Sequence, residues 1–129
     1  MGVDLRISDI LAMQRRLQKK YEGVWNPLTP EQGTRQLLWT LCEMGEVVDI
    51  IKKKGEQAVM EDAKVRASFC EELADVMMYL GDILLCFGID ADEISRAYTD
   101  KHEYNMRREY RGVAHFEKDS EGESQRYAV

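Results

Sequence analysis

Four acids set the problem this chain has to solve. Glu43 and Glu46 form one pair and Glu72 and Asp75 a second, each spaced i,i+3 inside an apolar helical segment. A step of three is close to one helical turn, so both members of a pair leave the same helix face. Carried inward by two packed helices, four carboxylates repel one another and resist losing water. A hard divalent cation with oxygen ligands relieves both costs. Magnesium is the expected ion, with manganese able to substitute.

Composition narrows the field. A length of 129 residues suits one domain with its own core. The net charge of −6 argues against a nucleic-acid surface, which needs clustered cations. The basic groups that do cluster (Arg15, Arg16, Lys19, Lys20, then Lys52, Lys53 and Lys54) lie on or at the ends of helices, where a solvated face is the plain reading. Cys42, Cys70 and Cys86 form no CxxC pair, which fits reduced thiols and a cytoplasmic protein. With His102 and His115 as the only imidazoles, zinc has too few conventional ligands. Asp4 and Arg6 interrupt any apolar N-terminal run, so no signal peptide is expected. The longest apolar stretch, 76–89, contains Asp82 and is too short to span a bilayer, so no membrane partner is expected.

Periodicity predicts an all-α chain of four helices. The first covers 7–21, with Ile10, Leu11, Leu17 and Tyr21 at core spacing. Gly23, Asn26 and Pro27 break it and leave Trp25 in a loop. The second starts with Thr29 as cap, Pro30 in the first position and Gln32 completing a capping box. It runs to Lys54, where Gly55 supplies a left-handed stop. Leu37, Leu41, Met44, Val48 and Ile51 form its main apolar stripe, while Glu43 and Glu46 share another face with Trp39, Val47 and Ile50. The third covers 62–87, with Phe69, Leu73, Val76, Met77, Leu80 and Leu84 as its core stripe. From 76 to 87 it is apolar nearly all round, which implies that a second subunit covers part of it. One polar line interrupts it: Glu72, Asp75, Tyr79, Asp82 and Cys86. The fourth opens with Asp90 and Glu93 as a capping box and continues to 108. Residues 1–112 are thus the expected domain, and 113–129 a mobile or partner-ordered tail.

Magnesium takes a few carboxylates plus substrate phosphates and water, so the acids point to phosphate chemistry. A spare carboxylate, Glu46 or Glu71, can act as general base on the attacking water. Lys53, Lys101 and Arg108 are available to offset remaining phosphate charge. Plainer readings exist for several of these residues. An ExxE pair on a helix is usually solvated, although two pairs on consecutive helices beside apolar residues are less easily dismissed. Tyr79 can be core with its hydroxyl at an edge, and Asp82 a buried acid satisfied by a neighbouring donor. Trp25 and Trp39 are more often packing residues, yet Trp25, in a loop ahead of the acidic helix, is placed to close over a ligand. Di-iron carboxylate chemistry in a four-helix bundle needs Glu-x-x-His pairs, which are missing here.

Taken together, these residues resemble the MazG-like, all-α nucleoside triphosphate pyrophosphohydrolases across 11–110. The resemblance rests on Gly23-Val24-Trp25-Asn26, Glu31-Gln32-Gly33-Thr34, Glu43-Met44-Gly45-Glu46-Val47-Val48-Asp49 and Glu71-Glu72-Leu73-Ala74-Asp75, in that order. It implies a four-helix bundle assembled as a homodimer or homotetramer. It implies magnesium-dependent hydrolysis of a (deoxy)nucleoside triphosphate to monophosphate and pyrophosphate, in nucleotide-pool housekeeping, with Glu43, Glu46, Glu72 and Asp75 as metal ligands. Related pyrimidine-directed enzymes carry an aromatic one turn after the metal-binding Asp, matched by Tyr79, and a Lys-x-x-x-Asn segment, matched by Lys101 and Asn105, with Arg108 following. By that similarity Tyr79 and Asn105 contact sugar or base, and Lys101 and Arg108 the phosphates. Cys42 departs from the pattern, standing where many MazG sequences have a further Glu. The segment 101–110 is closer to the single-domain dCTP-type enzymes than to MazG itself. A dUTP- or phosphoribosyl-ATP-directed enzyme is the nearest alternative, and a non-catalytic helical nucleotide sensor or interaction module is the alternative from another class.

Overall fold

The computed structural model describes residues 2–109. All its regular structure is helical: α1 (Ile7–Lys20), a 3-10 turn (Pro30–Gln32), α2 (Gly33–Lys54), α3 (Glu56–Glu61), α4 (Ala63–Cys86) and α5 (Ala91–Arg107). Among the described residues there is no strand, only an isolated bridge between Glu22 and Trp25. The chain falls into two compact units, the first closing at Ala91 and the second opening at Asp92. Within the first unit α4 is the hub: α2 packs along it most extensively, and α1 and α3 also lie on it. The expected tail at 113–129 lies outside the described residues.

Local chemistry accounts for most boundaries. Asp62 accepts from the backbone N–H groups of Lys64 (2.9 Å) and Val65 (3.3 Å), capping α4. Gly55 sits at φ +84, a conformation other residues adopt with strain, and closes α2 through its N–H to the Ile51 carbonyl at 2.8 Å. The expected capping box at Thr29 does not form. Thr29 makes no side-chain cap, Pro30–Gln32 winds as a 3-10 turn, and the Thr29 hydroxyl serves Glu31 instead. The backbone N–H of Glu31 and that hydroxyl together hold the Glu31 carboxyl below its usual range. The short helix α3 was not expected; Gly55 and Asp62 bound it, and its six residues are too few to show a period.

The larger correction concerns which face turns inward. Leu11, Val47, Val59, Val76 and Cys86 are the buried apolar side chains. The main apolar stripe of α2 is instead largely exposed, with Leu41 at 70%, and Leu37, Met44 and Val48 exposed beside it. On α4 the expected core residues Leu73, Met77 and Leu80 are likewise exposed, Met77 at 54%, while Val76 is buried and Phe69 and Leu84 are half-buried. The line Gln36, Glu43, Val47 and Ile50 lies inward on α2, at steps of seven, four and three. Helices α2 and α4 therefore meet along faces that carry acids.

Two glycines permit the close approaches. A Cβ at Gly33 would collide with the ring of Phe87, which ties the start of α2 to the end of α4. At Gly81 it would press to 3.3 Å on Gln14, the α1 residue packed there. Cys42 and Cys70 are exposed and Cys86 is buried, all three as free thiols. No helix among the described residues is long and apolar enough to cross a membrane.

Candidate metal centre

Glu43 on α2 and Glu72 and Asp75 on α4 each offer a carboxylate oxygen, and these atoms lie within 4.8 Å of one another. All three side chains are half-buried. Two oxygens on one magnesium ion, at 2.0–2.1 Å each, sit at most about 4.2 Å apart. The group is thus a small side-chain adjustment from octahedral coordination, and its all-oxygen donor set suits that ion. The electrostatics agree. Glu72 has its pKa raised above the ordinary carboxylate value, first by partial loss of water and then by Asp75, Glu43, Glu46 and Glu71 around it. A cation would remove that repulsion.

Glu46, the fourth expected ligand, is exposed and stands outside the group, although its charge reaches Glu72. Glu71 is exposed too, and its charge likewise reaches Glu72. Lys53 points its ammonium at Asp49 (2.7 Å), an exposed i,i+4 pair on the last turns of α2, and that partner raises its pKa. Lys101, Asn105 and Arg108 belong to the second unit. There Lys101 and Arg108 each place their charge 5.5 Å from the centre of the Tyr104 ring, and Asn105 is exposed.

Beside the acids lies a cavity of about 500 Å³, with Asp75 in its wall. That volume falls within the range of small-ligand sites. Trp25, Trp39 and Tyr79 line it together with Leu17, Val24 and Met78. Trp39 meets Tyr79 edge to face, ring centres 6.2 Å apart and planes at 85°. Trp25 stacks on Tyr21 at 4.3 Å, held in a turn that Gly23 makes at φ +85, with its N–H bonded to the Tyr21 carbonyl at 2.9 Å. Burial, followed by the charges of Glu43, Asp82 and Asp75, pushes the Tyr79 phenol up, so it stays a neutral donor.

No family model, curated protein or solved structure matches this chain.

Four amide side chains, Gln14, Gln18, Asn26 and Gln36, and the acid Asp82 complete the cavity. Asp82 is satisfied as its plainer reading required: Oδ1 accepts from Gln14 Nε2 at 3.0 Å, while burial raises its pKa and that bond opposes the rise. Gln18 Nε2 donates to the Asn26 carbonyl at 2.7 Å. Gln36 is buried, and its Oε1 has no hydrogen-bond partner. Neither Gln14 nor Gln36 stood out in the sequence. Their one signal was position: Gln14 follows Leu11 by three on the inward line of α1, and Gln36 precedes Glu43 by seven on α2.

Proposed function

We propose that this protein is a magnesium-dependent nucleoside triphosphate pyrophosphohydrolase of the MazG-like, all-α type, acting as a homodimer or homotetramer. One observation carries the reading: a three-carboxylate group on two packed helices opens beside an aromatic-walled cavity through a shared residue, Asp75. The ordered motifs and their resemblance supply the reaction class.

Glu43, Glu72 and Asp75 would hold the ion, with the charge of Glu46 felt at Glu72. Bound there, magnesium supplies charge neutralisation and polarisation of the phosphate groups. The chain's own residues do the rest. The cavity takes the nucleoside, with Trp25 and Trp39 offering ring faces and the neutral Tyr79 hydroxyl offering a donor for sugar or base. Asp75 sits where cavity and acids meet, so a nucleoside in the cavity directs its phosphates toward the acids. Glu46 or Glu71, both exposed, is free to take the proton of the attacking water. The exposed apolar stripes of α2 and α4 support assembly, since a second copy would remove them from water.

The test is pyrophosphate release from a panel of canonical and modified triphosphates with magnesium. Glu43→Gln and Glu72→Gln should each abolish release while leaving the helical circular dichroism unchanged. Release that persists in both variants rules the mechanism out.

A further inference from the structure

A buried amide without a partner is costly, and Gln36 is the one such side chain among the described residues. It is 6% exposed, it lines the cavity beside the acids, and its Oε1 is shielded from solvent with no hydrogen-bond partner. Leaving a buried acceptor unmet forfeits its hydration with nothing in return. An apolar residue of the same size would avoid that cost, so what needs explaining is the presence of an acceptor there.

We propose that Gln36 is the base-reading residue of the cavity, accepting a hydrogen bond from the exocyclic amino group of a bound nucleobase and so favouring cytosine or adenine over uracil or thymine. The inference rests on a nucleoside occupying the cavity, as the hydrolase reading requires, but not on hydrolysis. Three observations lead to it. First, two of the cavity's other amides already have a donor in use, Gln14 toward Asp82 and Gln18 toward the Asn26 carbonyl, whereas the oxygen of Gln36 still lacks one. Second, Asp75 and Asp82 place two carboxylate acceptors in the same cavity as the unmet oxygen of Gln36. An amino group, with two hydrogens to donate, can meet more than one of these acceptors, whereas uracil and thymine bring a single N3–H to that edge. Third, the terminal torsion of a glutamine is soft, so a modest turn brings Oε1 from the wall to the lumen. Trp25, Trp39 and Tyr79 give the base its flat neighbours and leave the edge to the polar groups.

Nucleosides without phosphates, titrated without magnesium, isolate this from the metal chemistry. Trp25 and Trp39, the only tryptophans, both line the cavity and report occupancy by fluorescence. The full chain should bind 2′-deoxycytidine and 2′-deoxyadenosine about tenfold more tightly than 2′-deoxyuridine and thymidine. In Gln36→Met that preference should shrink to within about twofold, with a thermal midpoint at or above that of the unaltered protein, because an unmet buried amide has been removed. Gln36→Leu, which also removes the acceptor, should lose the preference in the same way and decides the matter should Gln36→Met not fold. Equal binding of the four nucleosides, no binding at all, or an unchanged preference in Gln36→Met would each overturn the proposal. A Gln36-dependent preference in a protein that releases no pyrophosphate would uphold the base reader and dismiss the hydrolase. Pyrophosphate release with no change of preference in Gln36→Met would do the reverse.

Discussion

Two faces of the same pair of helices invert the usual arrangement of a soluble protein. Along the line where α2 meets α4, Glu43, Glu72 and Asp75 gather half-buried. On another face of each helix, Leu37, Leu41, Met44 and Val48, and Leu73, Met77 and Leu80, stand in water. Charge lies inward and apolar surface outward. Each arrangement is unfavourable for an isolated chain, one through repulsion and desolvation, the other through hydration of apolar surface. The contrast teaches that different partners would relieve the two faces: on the proposed reading, a dication for the acids and a second apolar surface for the stripes.

The largest effect should come from the acidic side. Glu72→Gln should lower magnesium-dependent pyrophosphate release by more than about a hundredfold, since a ligand and the charge it neutralises vanish together. Full activity in this variant would leave the inward acids without a role. On the other face, Leu41→Lys combined with Met77→Lys should convert an oligomer to monomer in sedimentation velocity while preserving helix content. If the unaltered protein already sediments as a monomer, the outward stripes are simply tolerated, and the comparison fails on that side.

Metal removal gives the next largest change. With magnesium at about a hundred times its dissociation constant, the thermal midpoint should rise in keeping with about 2.7 kcal/mol of linked stabilisation, and chelator should reverse it. Glu43→Gln should lose this response and, without metal, match or exceed the unaltered protein, because one source of repulsion on Glu72 is gone. The smallest expected effect concerns Asp82. Burial raises its pKa in the folded chain above the ordinary 3.8, so the native state holds that proton more firmly than the unfolded one. Its contribution is therefore complete below the unfolded value and fades as pH rises through the raised one. Asp82→Asn should gain stability relative to the unaltered chain over that rise, as read by urea midpoints at successive pH values. A constant difference would show that Gln14 fully compensates the burial.

Much of this was legible in the residues, and what escaped did so for physical reasons. Gly55 as a stop, and 62–87 as the span of the third helix, fell close to the observed ends of α2 and α4 because caps and glycines act locally. Facing was not legible in that way. Periodicity locates an apolar stripe but cannot say whether it meets a neighbouring helix or solvent, so Leu73, Met77 and Leu80 of the expected α4 core stripe, and most of the α2 apolar stripe, lie exposed. The Thr29 box did not form: Pro30–Gln32 winds as a 3-10 turn and the Thr29 hydroxyl bonds to the Glu31 carboxylate. At the site, Glu43, Glu72 and Asp75 were visible because like charges at helical spacing are conspicuous. Gln14 and Gln36 were not, since an uncharged amide looks the same in a sequence whether it lies at the surface or under a cavity wall.

The ligand set also has a topological side. Glu43 and the Glu72–Asp75 pair lie on opposite sides of Gly55, α3 and the Asp62 cap. An ion held by all three would close that whole intervening segment into a ring, a reversible cross-link that the unfolded chain could form only by surrendering loop entropy. Catalyst and fastening would then be the same atom, and a cell short of magnesium would hold a protein that is both idle and easier to unravel.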